Sequence, residues 1–196
     1  MRTGRLEAFS DGVIAILITI MVLELHVPEE PTWSSLHEEL PVLLSYPLSF
    51  VYLGIYWNNH HHMLQATERV DGLVLWANLH LLFWLSLVPF ATGWMGETTF
   101  ATVPTEAYGV VLLAAALAYY ALQWSIIRCE GPGSLLHVAV GRDRKGKLSP
   151  LFYLAAMVLT LVDRWLGVAM YVLVALLWLV PDRRVERVLT RTPPAA

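Results

Sequence analysis

Of the 196 residues, 57% are hydrophobic and 15% are charged, and the formal net charge is only -3. A soluble domain of this size would be far more polar, so the composition sets the soluble classes aside and places the chain among membrane proteins. The single cysteine, Cys129, excludes an internal disulfide and makes no thiolate metal site alone.

A bilayer core of roughly 30 Å needs about 20 mostly apolar residues at helical rise. The first such run covers 9–27, within RLEAFSDGVIAILITIMVLEL at 5–25, and carries Asp11 near one end and Glu24 near the other. It is longer than a signal-peptide core, contains Asp11 and is followed by no small-residue cleavage pattern after His26, so it reads as a permanent span. Pro28 and Pro31 close it, and the second run covers 40–57. The third covers 72–94 and the fourth 106–128, the latter between Pro104 and the breaker Gly131-Pro132-Gly133. Runs at 148–162 and 165–180 are separated by little more than Asp163 and Arg164, which predicts a tight helical hairpin, and Pro181 ends the last one. Pro47 and Pro89 lie inside runs and predict kinks that face protein. The expected fold is thus an all-α membrane protein, one domain over 1–196 with six transmembrane helices and a short basic tail at 182–196.

Orientation follows from Lys and Arg in the short loops. Arg2 and Arg5, Arg69, the group Arg128, Arg142, Arg144, Lys145 and Lys147, and Arg183, Arg184, Arg187 and Arg191 all fall on one side of a six-span chain. The intervening loops are acidic, with Glu29, Glu30, Glu38, Glu39, Glu97 and Glu106, and Arg164 alone breaks the pattern. Both termini are therefore expected in the cytoplasm of a multi-pass protein of the cell membrane. The basic loop at 129–147 more simply sets topology and meets anionic lipid than binds nucleic acid.

Polar groups inside a membrane cost several kcal/mol when unpaired, so they face protein or water. Three clusters fall at a similar expected depth: Arg5, Glu7, Ser10 and Asp11; Trp57, Asn58, Asn59, His60, His61 and His62; and Asn78 with His80. A hydrogen-bonded belt between spans one, two and three is the economical reading, with Asp11 accepting and Asn, Trp and His donating. Three consecutive histidines suggest a metal, but neighbours on a helix point about 100° apart and do not converge on one ion. A bis-histidine haem on His60 and His80 lacks the second pair that transmembrane electron transfer needs. No metal or cofactor is expected. Glu24 reads as a helix end emerging into water, or as part of a cation-attracting vestibule.

R-x-x-x-F-S-D, here Arg5, Phe9, Ser10 and Asp11, is followed by Gly12 and a run ending V-L-E-L; this resembles the opening of the first transmembrane helix in the family of the endosomal and lysosomal potassium channel, transmembrane protein 175. Y-W-N-N-H-H at 56–61 and N-L-H-L-L-F-W-L-S-L-V-P-F at 78–90 look like that family's second and third spans. The resemblance implies a potassium-selective cation channel, a homotetramer in a lipid bilayer whose four first helices surround a central pore. It also implies narrow apolar rings in place of a carbonyl filter, and the sequence indeed has no T-V-G-Y-G loop.

Carried over by offset from Asp11, the narrow ring falls on Ile16, a hydroxyl layer on Thr19 and a further apolar ring on Leu23. Together with Gly12 these recur at spacings of four, three and four and form one helical stripe. Such a stripe equally suits core packing, with Thr19 bonding its own backbone. The resemblance further assigns Arg5, Phe9, Ser10, Asp11, Trp57, Asn58, His60, Asn78 and His80 to a structural or gating network rather than to ion ligation. The competing function is a secondary transporter, proton-coupled through Asp11 and His80, although no inverted repeat is found. An enzyme is disfavoured for want of a nucleophile and base pair.

Overall fold

The computed structural model describes residues 3–131, 133–140 and 144–179, and every regular element among them is helical. Helix α1 runs Gly4–Ile20 and tightens into a 3-10 turn, Met21–Glu24. A short α2, Trp33–Glu38, is capped by Thr32, whose hydroxyl accepts from Ser35 N. Helix α3 spans Leu40–Gln65, α4 Gly72–Ser86, α5 Val88–Glu97 and α6 Thr102–Glu130. The remaining helices are α7 (Leu135–Val140), α8 (Arg144–Val162) and α9 (Arg164–Leu179).

Among the described residues four stretches are long and apolar enough to cross a membrane: Gly4–Glu24, Leu40–Gln65, Gly72–Glu97 and Thr102–Glu130. Leu148–Val162 and Arg164–Leu179 are shorter apolar helices. The hairpin expected between them is present, and Asp163 makes it: its carboxylate Oδ1 accepts from Trp165 N at 2.7 Å, satisfying a free donor of the new helix. The basic tail at 182–196 and Arg142 lie outside the described residues.

Several boundaries move. Helix α1 begins before the apolar run, so Arg5 and Glu7 are helical, and α3 continues through Asn58 to His62, because all these residues tolerate helix and no breaker stands in the way. The loop expected at 129–147 contains α7 and the start of α8. The two prolines behave differently. The third run breaks at Leu87, so Pro89 falls in the first turn of α5, where its missing N–H costs nothing. Pro47 sits inside an unbroken α3 and is exposed on the surface of the single subunit.

The core lies where α3, α5, α6, α8 and α9 pack, with α4 laid along α6 and α1 against α3 and α4. Close approach depends on small residues, as between membrane helices generally. A Cβ at Gly109 would collide with the Tyr171 hydroxyl, and one at Gly167 with the Thr160 side chain. Three fully buried tyrosines, Tyr52, Tyr108 and Tyr171, anchor this region, and their hydroxyls are all satisfied. Tyr52 donates to Tyr171 O at 2.7 Å, Tyr171 donates to Thr105 O at 3.2 Å, and Tyr108 shares a 3.0 Å bond with Ser49. Thr92 donates to Ser49 at 2.6 Å, which ties α3, α5 and α6 together, while the Tyr52 and Tyr171 bonds add α9.

Candidate pore-lining helix and its polar anchor

Helix α1 has two unlike faces. Leu6, Ser10, Ile14, Leu17 and Met21 are buried at spacings of four, four, three and four, and fasten the helix to the subunit. Gly12, Ile16, Thr19 and Leu23 follow the same rhythm on the other side, and all four are exposed in the single subunit. The stripe therefore does not belong to the subunit's own core.

Its chemistry also differs from that of other exposed faces. Helix α4 presents Trp76, Leu79 and Phe83, and α6 presents Leu117, Tyr120 and Trp124, as suits contact with lipid tails. The exposed side of α1 carries the small residues Ala8, Gly12, Ala15 and Thr19 among the larger Phe9, Ile16, Ile20 and Leu23. Small side chains there let copies of the helix approach one another closely. The Thr19 hydroxyl donates to Ala15 O at 3.1 Å and Ile16 O at 2.9 Å, as the backbone-bonding alternative expects. That bond uses the proton and leaves the oxygen lone pairs pointing away from the helix, where a cation can meet them.

The cytoplasm-expected end of α1 is held by two separate sets of bonds. In the buried one, Ser10 donates to Leu6 O at 2.9 Å and accepts from Asn78 Nδ2 at 2.9 Å, while Asn78 Oδ1 meets His60 Nε2 at 2.7 Å. Because Asn78 Oδ1 can only accept, His60 carries its proton on Nε2. All three side chains are fully buried, so α1, α4 and α3 are joined by one continuous polar chain in an apolar setting. The second set is half-exposed. Trp57 Nε1 donates to Asp11 Oδ1 at 3.0 Å, the Trp57 ring stacks on His61 at 5.9 Å, and His61 Nδ1 lies 2.9 Å from Glu7 Oε1.

The expected belt is thus narrower than its residue roll. Ser10, Asp11, Trp57, His60 and Asn78 come together across helices. Arg5 and Phe9 are exposed, and Arg5 makes no ion pair among the described residues. Asn58 contributes its backbone oxygen, 2.7 Å from His62 Nδ1, and stays within its own helix. His80 accepts from Trp84 Nε1 at 2.9 Å, a bond within α4 rather than across to α1. Glu24 packs its carboxylate against Gly93 of α5, in a groove with Ser86, Trp94 and Glu97. Sequence reading overlooked the Ser49–Thr92–Tyr108 hydroxyl chain, whose only signal was two polar residues inside otherwise apolar runs.

The family described as endosomal/lysosomal potassium channel TMEM175 matches residues 5–89, the stretch that holds α1 and both sets of anchoring bonds. A potassium channel of Chryseobacterium sp. (strain P1-3) is 52% identical over 187 residues, covering 95% of this chain and 97% of that protein. The chain belongs to the TMEM175 family. The crystal structure of a lysosomal potassium-selective channel TMEM175 homolog from Chamaesiphon minutus superposes with a TM-score of 0.79 at 30% identity, over 92% of this chain and 97% of that one. A more distant TMEM175 relative, from Danio rerio, is named an endosomal/lysosomal proton channel; it is 26% identical over 132 residues, which cover 65% of this chain and 24% of that protein. As a TMEM175 member, the chain is a membrane-embedded channel protein, and the full-length likeness lies with relatives named as potassium channels.

Proposed function

We propose that the protein is a potassium-selective channel, a homotetramer in the cell membrane with four copies of α1 around a central pore. The observation that carries this reading is the exposed stripe of Gly12, Ile16, Thr19 and Leu23 on the face of α1 opposite its anchoring residues. Brought together by fourfold symmetry, Ile16 forms the narrowest apolar ring and Leu23 a second one, with the Thr19 oxygens between them. Ions pass by shedding part of their water at the apolar rings and gaining Thr19 oxygens in return. Ser10, Asp11, Trp57, His60 and Asn78 hold α1 in register with α3 and α4 and bind no permeant ion. Glu24, with Glu97 beside it in the same groove, raises the cation concentration at the outer mouth.

Each subunit crosses the membrane six times: α1, α3, α4 continued by α5, α6, α8 and α9. That even number keeps both termini in the cytoplasm together with the basic loops. The permeant K⁺ is the sole ligand this function needs, and lipid and three further copies are the sole partners. The test is reconstitution of the purified protein into planar bilayers, with reversal potentials measured under opposed K⁺ and Na⁺ gradients. A reversal potential near the K⁺ equilibrium value supports the reading; absence of single-channel steps, or slow saturable flux in their place, overturns it.

A further inference from the structure

We infer that Glu7 and Asp11 of α1 and His61 of α3 form a binding site for a zinc-class divalent cation at the amino-terminal end of α1. One ligand atom from each of the three residues lies within 4.8 Å of the other two, and all three side chains are half-buried. The spacing of the carboxylates is helical: Glu7 and Asp11 are four apart and stand one above the other on one face of α1. His61 reaches them from the neighbouring helix, so the ligands come from two elements and an ion between them closes a cross-link.

The three consecutive histidines do not themselves converge. His60 points inward to Asn78, His62 Nδ1 turns back to Asn58 O, and His61 alone faces the carboxylates. The pattern that argued against a metal on the histidine run is thus compatible with one on a single histidine of that run.

Two details favour an ion over a simple ion pair. First, His61 Nδ1 lies 2.9 Å from Glu7 Oε1, yet this buried nitrogen makes no hydrogen bond. Two ligand atoms at that separation, each about 2.1 Å from a metal, subtend about 90° at it, so a few tenths of an ångström of opening brings them to the wider angle of a tetrahedral zinc site. Secondly, the charge is unbalanced. Among the described residues no Lys or Arg pairs with Glu7 or Asp11, so two carboxylates share at most one imidazolium.

The surroundings supply what a metal site needs beyond its ligands. Trp57 Nε1 donates to Asp11 Oδ1 and fixes that carboxylate, and the Trp57 ring stacked on His61 fixes the imidazole. One imidazole and two carboxylates suit Zn²⁺ among common divalent cations better than Mg²⁺ or Ca²⁺, which take oxygen alone. Water completes the coordination from the exposed side. Because α1 and α3 each contribute ligands, occupancy staples these two helices. The inference concerns binding and stands whether or not the chain conducts K⁺.

The experiment is isothermal titration of zinc chloride into tag-free, chelator-stripped full-length protein in detergent, alongside thermal denaturation with and without zinc. Wild type is expected to take up one zinc per chain and to melt at a higher temperature with it. Glu7→Gln and His61→Ala are expected to bind at least about tenfold more weakly and to lose the melting shift. His62→Ala, next to the site but outside it, is expected to bind like wild type. Glu7→Gln keeps size and hydrogen-bonding capacity, and its elution volume beside wild type verifies its fold. Zinc uptake by either ligand variant equal to wild type, or no saturable uptake by wild type, overturns the site.

Discussion

Ile14 and Ile16 stand two residues apart on α1, yet Ile14 is fully buried and Ile16 is 57% exposed. Two steps on a helix turn by about 200°, so the same side-chain type serves opposite purposes: one packs the subunit and the other is left for whatever surrounds it. If Ile16 is the narrow ring, Ile16→Asn places a polar side chain where an apolar one excludes water. K⁺ flux in proteoliposomes should rise by several-fold. Thr19→Ala removes the oxygens between the rings and should move the reversal potential in opposed K⁺ and Na⁺ gradients toward zero. Wild-type behaviour in both variants would place the constriction elsewhere.

The buried chain from Ser10 through Asn78 to His60 predicts a stability effect independent of conduction. Asn78→Ala strips one hydrogen-bond partner each from Ser10 and His60 and leaves His60 Nε2 without an acceptor in an apolar interior. The expected cost is about 1–3 kcal/mol. For a chain of this size that lowers the melting temperature by roughly 2–10 °C, measurable by thermal denaturation in detergent. Since Ser10 and Asn78 are in contact, adding Ser10→Ala should cost less than in the wild-type background.

The helices were legible because hydrophobic runs of bilayer length leave a strong signal, and the Gly131-Pro132-Gly133 group ends α6 where expected; Pro104 misled by two residues, since the first turn of α6 accommodates it. Their ends were not, because Glu7 and Asn58 to His62 are polar residues that helix accommodates as readily as loop, and hydropathy is blind to them. The same limit explains the belt. Composition placed Ser10, Asn78 and His60 at one depth, and the structure joins them; His80 stands at the same depth but on another face of α4, where Trp84 is its partner. Depth follows from counting residues, whereas partner choice depends on helix rotation, which the near-uniform apolar runs of α3 and α4 do not encode.

Gly109 predicts a rescue. A methyl group at this position on α6 meets the Tyr171 hydroxyl of α9, the group that bonds Thr105 O. Gly109→Ala should therefore destabilise by about 1–3 kcal/mol through overpacking. Tyr171→Phe alone loses a buried hydrogen bond, though Thr105 O keeps its helical partner, and it removes the atom that collides. The double variant should then melt above the sum of the two single losses, and strict additivity in the denaturation curves would show that the contact is not the source of strain.

Gly12 separates the subunit from the assembly. Beyond the adjoining backbone of α1 itself, nothing in the subunit lies within 4 Å of a Cβ at this position, so Gly12→Leu fits the fold of one chain and, by helix propensity, favours α1. On the proposed arrangement the added side chain points at the other three copies of α1 and occupies the space where they converge. Native mass spectrometry of the wild type should show four copies. Gly12→Leu should keep its helical circular dichroism while losing the tetramer or its K⁺ flux. A Gly12→Leu protein that remains tetrameric and conducts normally would mean that this face of α1 looks out at lipid.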